Sequence, residues 1–148
     1  MAEPNTALIV IDAQQEYFAP LGKVVLPGGP AAVRRVADAL KWAREQKLPV
    51  IHVVHESRKP NAAIFAPGSP ALEIHPDARP TSGEPVVQKD LLVDTTARQA
   101  AHLGFRVTVL SDATAAMGVK GPEVHRTHLG SLSGFLADVK PLDALINT

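Results

Sequence analysis

Asp12 and Lys89 are charged residues that each close a run of strand-forming residues in this 148-residue sequence. Asp12 follows Ala7-Leu8-Ile9-Val10-Ile11, five consecutive apolar residues that suit a strand buried on both faces. Lys89 ends the short run Glu84-Pro85-Val86-Val87-Gln88. In a parallel sheet both residues emerge at the C-terminal edge, where open α/β sheets place their ligands. A carboxylate and an ammonium at that edge can meet over a ligand, or tune a nucleophile held between them. Taken alone, the Asp12 stretch fits a loop start or a helix cap equally well.

The nucleophile is the missing part. There is no cysteine, which removes thiol catalysis, thiolate metal sites and disulfides together. His52 and His55 lie three apart in Pro49-Val50-Ile51-His52-Val53-Val54-His55, but residues at that spacing point to opposite faces of a strand. They therefore read as a core imidazole at His52 and a site wall at His55, with no metal expected. His125 and His128 read as surface and packing residues of a late helix. Neither GxGxxG nor GxxxxGK[ST] occurs, so Gly28-Gly29-Pro30 is no phosphate loop and no cofactor is expected. Thr95-Thr96-Ala97-Arg98 opens a helix and can hold an anion on its amides, although ordinary capping accounts for it.

The elements that must position these groups alternate. After the first strand, residues 14–29 form a loop, and Pro30 begins an amphipathic helix to Lys47. Val33, Val36, Ala37, Leu40 and Ala43 form its apolar side. The strand from Pro49 to His55 completes a strand-helix-strand unit. Residues 56–85 are rich in proline and lack periodicity, the mark of a lid, a site wall or a plain surface crossing. A helix over Asp94 to Leu103 stops at Gly104. Phe105 to Leu110 reads as a buried strand, Gly121-Pro122 start a last helix, and Ala137 to Val139 form a short final strand. This alternation predicts an α/β fold with a mostly parallel sheet covered on both faces.

Length and charge bound the rest. One domain, residues 1–148, is expected, long enough to bury roughly two thirds of its unfolded surface. Lys plus Arg balance Asp plus Glu at 15 each, leaving no electrostatic footprint for nucleic acid or an acidic membrane. No apolar run reaches membrane-spanning length and Met1 to Thr6 lack a basic signal start, so a cytoplasmic protein with a small-molecule ligand is expected.

In order, the blocks ALIVIDAQQEYF, PVIHVVHE, GEPVVQK and VDTTARQAAHLGFRVTVLSDATAA resemble the isochorismatase-like (cysteine hydrolase) superfamily over about residues 7–140. The resemblance implies a three-layer α/β/α, Rossmann-like sandwich and hydrolysis of amide, imide or vinyl-ether bonds in small molecules by an Asp-Lys-Cys triad. Asp12 matches the family's Asp and Lys89 its Lys. Gln14, Phe18 and His55 are the expected substrate-binding side chains. The family's Cys precedes a Val-Asp-Thr-Thr-Ala-Arg helix start, and that position is Leu92. A helix N-terminus and a nearby cation lower a thiol pKa, but leucine offers nothing to activate.

Relatives also carry more chain between the Lys and the Cys. Here Lys89 runs at once into Asp90-Leu91-Leu92, so roughly one helix-strand unit of about thirty residues is absent. About five strands are expected where the family has six. Excision of a whole unit predicts that the strand at 105–110 moves beside the first strand and that the helix at 94–103 covers the vacated face. The implied function is that of a hydrolase-family protein impaired by loss of its nucleophile. Alternatives are a hydroxyl or water route through Thr95, Thr96 or Asp12, a non-catalytic binding or homo-oligomerisation module, and an internally deleted form of an active hydrolase.

Overall fold

The computed structural model describes residues 5–89 and 93–147. Strands β1 (Leu8–Ile11), β2 (Val50–His55) and β3 (Val86–Lys89) form a parallel sheet in the order β1-β2-β3. Leu8 pairs with Val50 and Ile11 with Val53, while His52 pairs with Val86 and His55 with Lys89. Helix α1 (Gly29–Glu45) connects β1 to β2, with Pro30 in its first turn, where a missing N–H costs nothing. Its apolar stripe supplies Val33, Leu40 and Ala43 to a core shared with Val10, Val50 and Ala78. Ala78 comes from the proline-rich segment, so its Pro76–Ala78 turn packs on α1.

The remaining elements form a second unit. Helix α2 (Val93–His102) leads to β4 (Thr108–Leu110), α3 (Gly121–Leu132), β5 (Asp138–Lys140) and α4 (Leu142–Ile146). β4 pairs with β5 in parallel, Thr108 opposite Asp138. Ala97, Val109, Leu132 and Ala137 form a core of their own. The fold is thus α/β, with five strands among the described residues and parallel pairing in both sheets. Gly104 ends α2 at φ 86°, a left-handed stop that the absence of a Cβ permits.

Three expectations are corrected. β4 does not lie beside β1; among the described residues, β1 has a strand neighbour only in β2. Nor does α2 cover the sheet face opposite α1, because its buried Ala97 is engaged by Val109, Leu132 and Ala137 of its own unit. Alternation along the strands puts Ile9, Ile11, Ile51, Val53 and Val87 on that face. Ile9 is 46% exposed and Val87 49%, while Ile11, Ile51 and Val53 are half-buried; on the α1 side Val10 is 6% exposed and Val86, on the outer strand β3, 50%. Finally, the strand expected from Phe105 begins only at Thr108, and Phe105 itself is exposed. β5 pairs with three residues of β4, which leaves Gly104, Phe105 and Arg106 outside the ladder.

α1 bridges the two units. Arg35 places its guanidinium against three carboxylates, with Nε donating to Asp112 at 2.8 Å and its terminal nitrogens donating to Asp38 at 3.0 Å and Asp143 at 2.6 Å. Asp112 also accepts the Leu142 backbone N–H at 2.9 Å. One cation on α1 thereby fastens the end of β4 and the start of α4.

Candidate functional site at the carboxyl edge of the first sheet

Asp12 leaves β1 with its N–H still bonded to the Val53 carbonyl at 2.8 Å, then adopts φ 59°. Left-handed backbone is uncommon outside glycine and best tolerated by Asn and Asp. It turns the chain sharply, so that the Gln14 N–H donates back to the Asp12 carbonyl at 2.8 Å. The Asp12 carboxylate stays at the edge with Oδ1 screened from solvent. Its charge reaches Tyr17, whose phenol is pushed above its ordinary range first by burial and then by Asp12 and Glu16. Tyr17 therefore remains protonated and can donate.

Gln14 locks the edge together. It is 1% exposed, and its Nε2 donates to the carbonyls of His55 and Leu72 at 2.9 Å each, while its Oε1 accepts the His55 N–H at 2.7 Å. With its amide engaged this way, Gln14 acts as a positioning residue. The neighbouring backbone continues the lock: the His75 N–H donates to Ala13 at 2.7 Å and the Gln15 N–H to Glu73 at 2.8 Å. Phe18 lies against His75 with ring centroids 4.4 Å apart. The proline-rich segment is thus held as a wall.

Phe65 is a wall residue that no sequence signal marks. It is buried, with φ 50°, an unusual conformation for a bulky side chain. Backbone strain of this kind concentrates where a ring must be aimed at a site. Its ring meets Tyr17 edge-on at 5.3 Å and His55 at 4.8 Å. Tyr17, Leu26 and Phe65 form one cluster, against which Phe18 and Ala115 pack.

Asp12 and Lys89 share the carboxyl edge, on β1 and β3, with β2 between them. Lys89 is placed by backbone register alone, and Leu92 lies outside the described residues. Thr95 is exposed on α2. His52 is the core imidazole expected of it, 1% exposed, with Nε2 2.9 Å from Glu84 Oε2. His55 turns to Phe65 instead, so the two imidazoles serve different partners.

Glu84 is a further residue that sequence reasoning missed. It takes two hydrogen bonds from Arg44, at 2.8 and 2.9 Å, and one from the Thr81 N–H at 2.9 Å. The Arg44 guanidinium, with Thr81 and His52, holds its carboxyl far below the ordinary range against the opposing pull of burial. This network lies before β3, at the opposite end of the strands from Asp12, and is structural. An open hollow of about 540 Å³ beside Arg34, Arg35, Asp77 and Asp112 also lies apart from Asp12.

The Isochorismatase domain profile matches residues 6–92, more than half of the chain. The chain belongs to the isochorismatase family. The match ends at residue 92. This isochorismatase-family chain is 38% identical to the Bacillus subtilis isochorismatase family protein YddQ, with 75% of this chain and 78% of YddQ covered. It is 29% identical to the secreted isochorismatase effector Isc1 of Verticillium dahliae, over 79% of this chain and 76% of Isc1. Among solved structures it resembles an isochorismatase hydrolase from Oleispira antarctica, with a TM-score of 0.87, 30% identity and all of both chains covered. No helix among the described residues is long and apolar enough to cross a membrane.

Proposed function

We propose that this protein is an isochorismatase-family member that has lost the thiol route of its relatives and keeps the carboxyl edge as a binding site for a small molecule. The observation that carries this reading is chemical. The family's cysteine position is Leu92, and no other cysteine exists in the chain to replace it. Asp12 and Lys89 then have no sulfur to deprotonate or stabilise, and they serve as acceptor and cation for a ligand. Tyr17, His55, Phe65 and Phe18 supply its aromatic wall, in keeping with the apolar lining and few polar groups of small-molecule sites. The chain is read as one domain working in the cytoplasm, where neutral net charge and the lack of cysteine are unremarkable.

Thermal-shift titration with small carboxamides and carboxylates tests the reading, run beside amide-hydrolysis assays on wild type and Asp12→Asn. The expected result is a ligand-dependent shift that Asp12→Asn loses, with no amide turnover in either protein. Amide turnover by wild type that Asp12→Asn abolishes would overturn the loss of chemistry. Absence of any shift across the panel would overturn the binding role.

A homo-oligomer is the second part of the proposal, favoured by the exposure of Ile9 and Val87 and by the side of β1 that has no strand neighbour among the described residues. Exposed strand edges template pairing with another chain, and natural proteins cover them. Sedimentation of the wild-type chain over a range of concentrations tests it: a monomer throughout would remove this part.

A further inference from the structure

We infer that Thr114 and His125 form a hydroxyl–imidazole pair that transfers acyl groups from small activated esters, an activity separate from the family's cysteine chemistry and from the ligand site proposed above. The Thr114 Oγ1 lies 2.7 Å from His125 Nε2. Its other neighbours, the carbonyls of Leu110 and Ser111, are at 3.5 and 3.4 Å, so the short contact is the one to the imidazole. Both residues are partly exposed.

The surroundings hold the pair in register. Thr114 follows the end of β4, and His125 sits on α3, whose start is pressed against the intervening turn. A Cβ built on Gly121 would lie 2.6 Å from the Ala116 carbonyl oxygen, so only glycine allows the helix to approach this closely. Gly118, at φ 86°, makes the turn and accepts the Gly121 N–H at 2.9 Å. The next residue after the hydroxyl, Ala115, packs on the Tyr17, Leu26 and Phe65 cluster.

Burial holds the His125 pKa below its ordinary value, so the ring is neutral near pH 7, and in its Nδ1–H tautomer it accepts a proton on Nε2. In the first step Thr114 Oγ1 bonds to the ester carbonyl carbon as its proton passes to His125 Nε2. The carbonyl–alkoxy bond then breaks, and the leaving alkoxide takes that proton. In the second step a water oxygen attacks the acyl-threonine, giving its proton to His125. The imidazole returns the proton to Thr114 Oγ1, releasing the carboxylic acid. A threonine hydroxyl is a weak nucleophile that depends on its adjacent base, which restricts the substrates to esters with good leaving groups.

Release of nitrophenolate from p-nitrophenyl acetate measures turnover, and p-nitrophenyl dimethylcarbamate, whose adduct hydrolyses slowly, marks the reacting side chain. In wild type the carbamoyl group is expected on Thr114 within the tryptic peptide Val107–Lys120. Thr114→Val and His125→Gln should each slow nitrophenolate release by at least about a hundredfold, the lower end of what a positioned base contributes. Thr114→Ser should retain it, as should His102→Gln at the exposed end of α2. A carbamoyl group found elsewhere, or none, overturns the proposal irrespective of how any variant folds. So does wild-type turnover in either Thr114→Val or His125→Gln.

Discussion

Gln14 and His55, 41 residues apart, exchange two hydrogen bonds: the Gln14 amide nitrogen donates to the His55 carbonyl, and the His55 N–H donates to the Gln14 amide oxygen. A third bond from the same amide reaches Leu72. One side chain thus completes the end of β2 and ties down the wall beside Asp12. Gln14→Ala strands these backbone groups, each unsatisfied buried group costing about 1–3 kcal/mol. A loss of about 2–4 kcal/mol in urea unfolding is the expected outcome. Limited proteolysis should cut first within residues 56–75, and unchanged stability would contradict the lock.

Acid should act through Glu84. Its folded pKa lies below the ordinary value of 4.5, with Arg44 as the main cause, so the folded state binds fewer protons than the unfolded chain as pH falls. The stabilisation is complete above about pH 4.5 and fades progressively below it. Glu84→Gln keeps the shape but removes the charged acceptor, and a loss of about 2 kcal/mol at pH 7 is expected. Unfolding curves between pH 3 and 7 should show a flatter acid limb for the variant. Parallel limbs would rule out this assignment.

The uncovered sheet face makes neighbouring residues unequal. Leu40 has no exposure and should cost about 2–5 kcal/mol when cut to alanine. Ile9→Ala, measured on dilute monomer, should cost less than about 1 kcal/mol, because surface substitutions have small effects. If self-association covers that face, Ile9→Lys abolishes it in sedimentation while leaving the monomer folded. An Ile9→Ala cost equal to that of Leu40→Ala at every concentration would show the face to be covered within one chain.

Arg35 couples the two units. Asp112 is held below its ordinary pKa by the Leu142 N–H and Arg35, which together outweigh the upward pull of burial. Arg35→Gln should leave the β1-β2-β3 sheet intact and loosen α4 from α1. Hydrogen exchange reads this directly: the Leu142 amide, bonded to Asp112, should lose protection while Val53 retains its own. Equal loss at both amides would mean that the two sheets unfold as one.

The sequence by itself determined the local half of this protein. Period-two and period-3.6 patterns placed β1, α1, β2 and β3, the glycine stop after α2, the buried role of His52, and the common edge of Asp12 and Lys89. Each depends on which side of a single element is apolar, a property written in adjacent residues. Family membership was legible in the same way, in ordered blocks of local sequence.

Tertiary structure alone decided how the shortened sheet is completed, why Ile9 is exposed, and which partners Arg35, Glu84, Phe65, Thr114 and His125 take. Periodicity shows that a strand has an edge and a helix an apolar stripe, but it does not choose the neighbour. Here α2 is engaged by Val109, Leu132 and Ala137, close to it in the chain. Among the described residues this leaves Ile9 and Val87 exposed on the face opposite α1, because closing short loops costs less entropy than closing long ones.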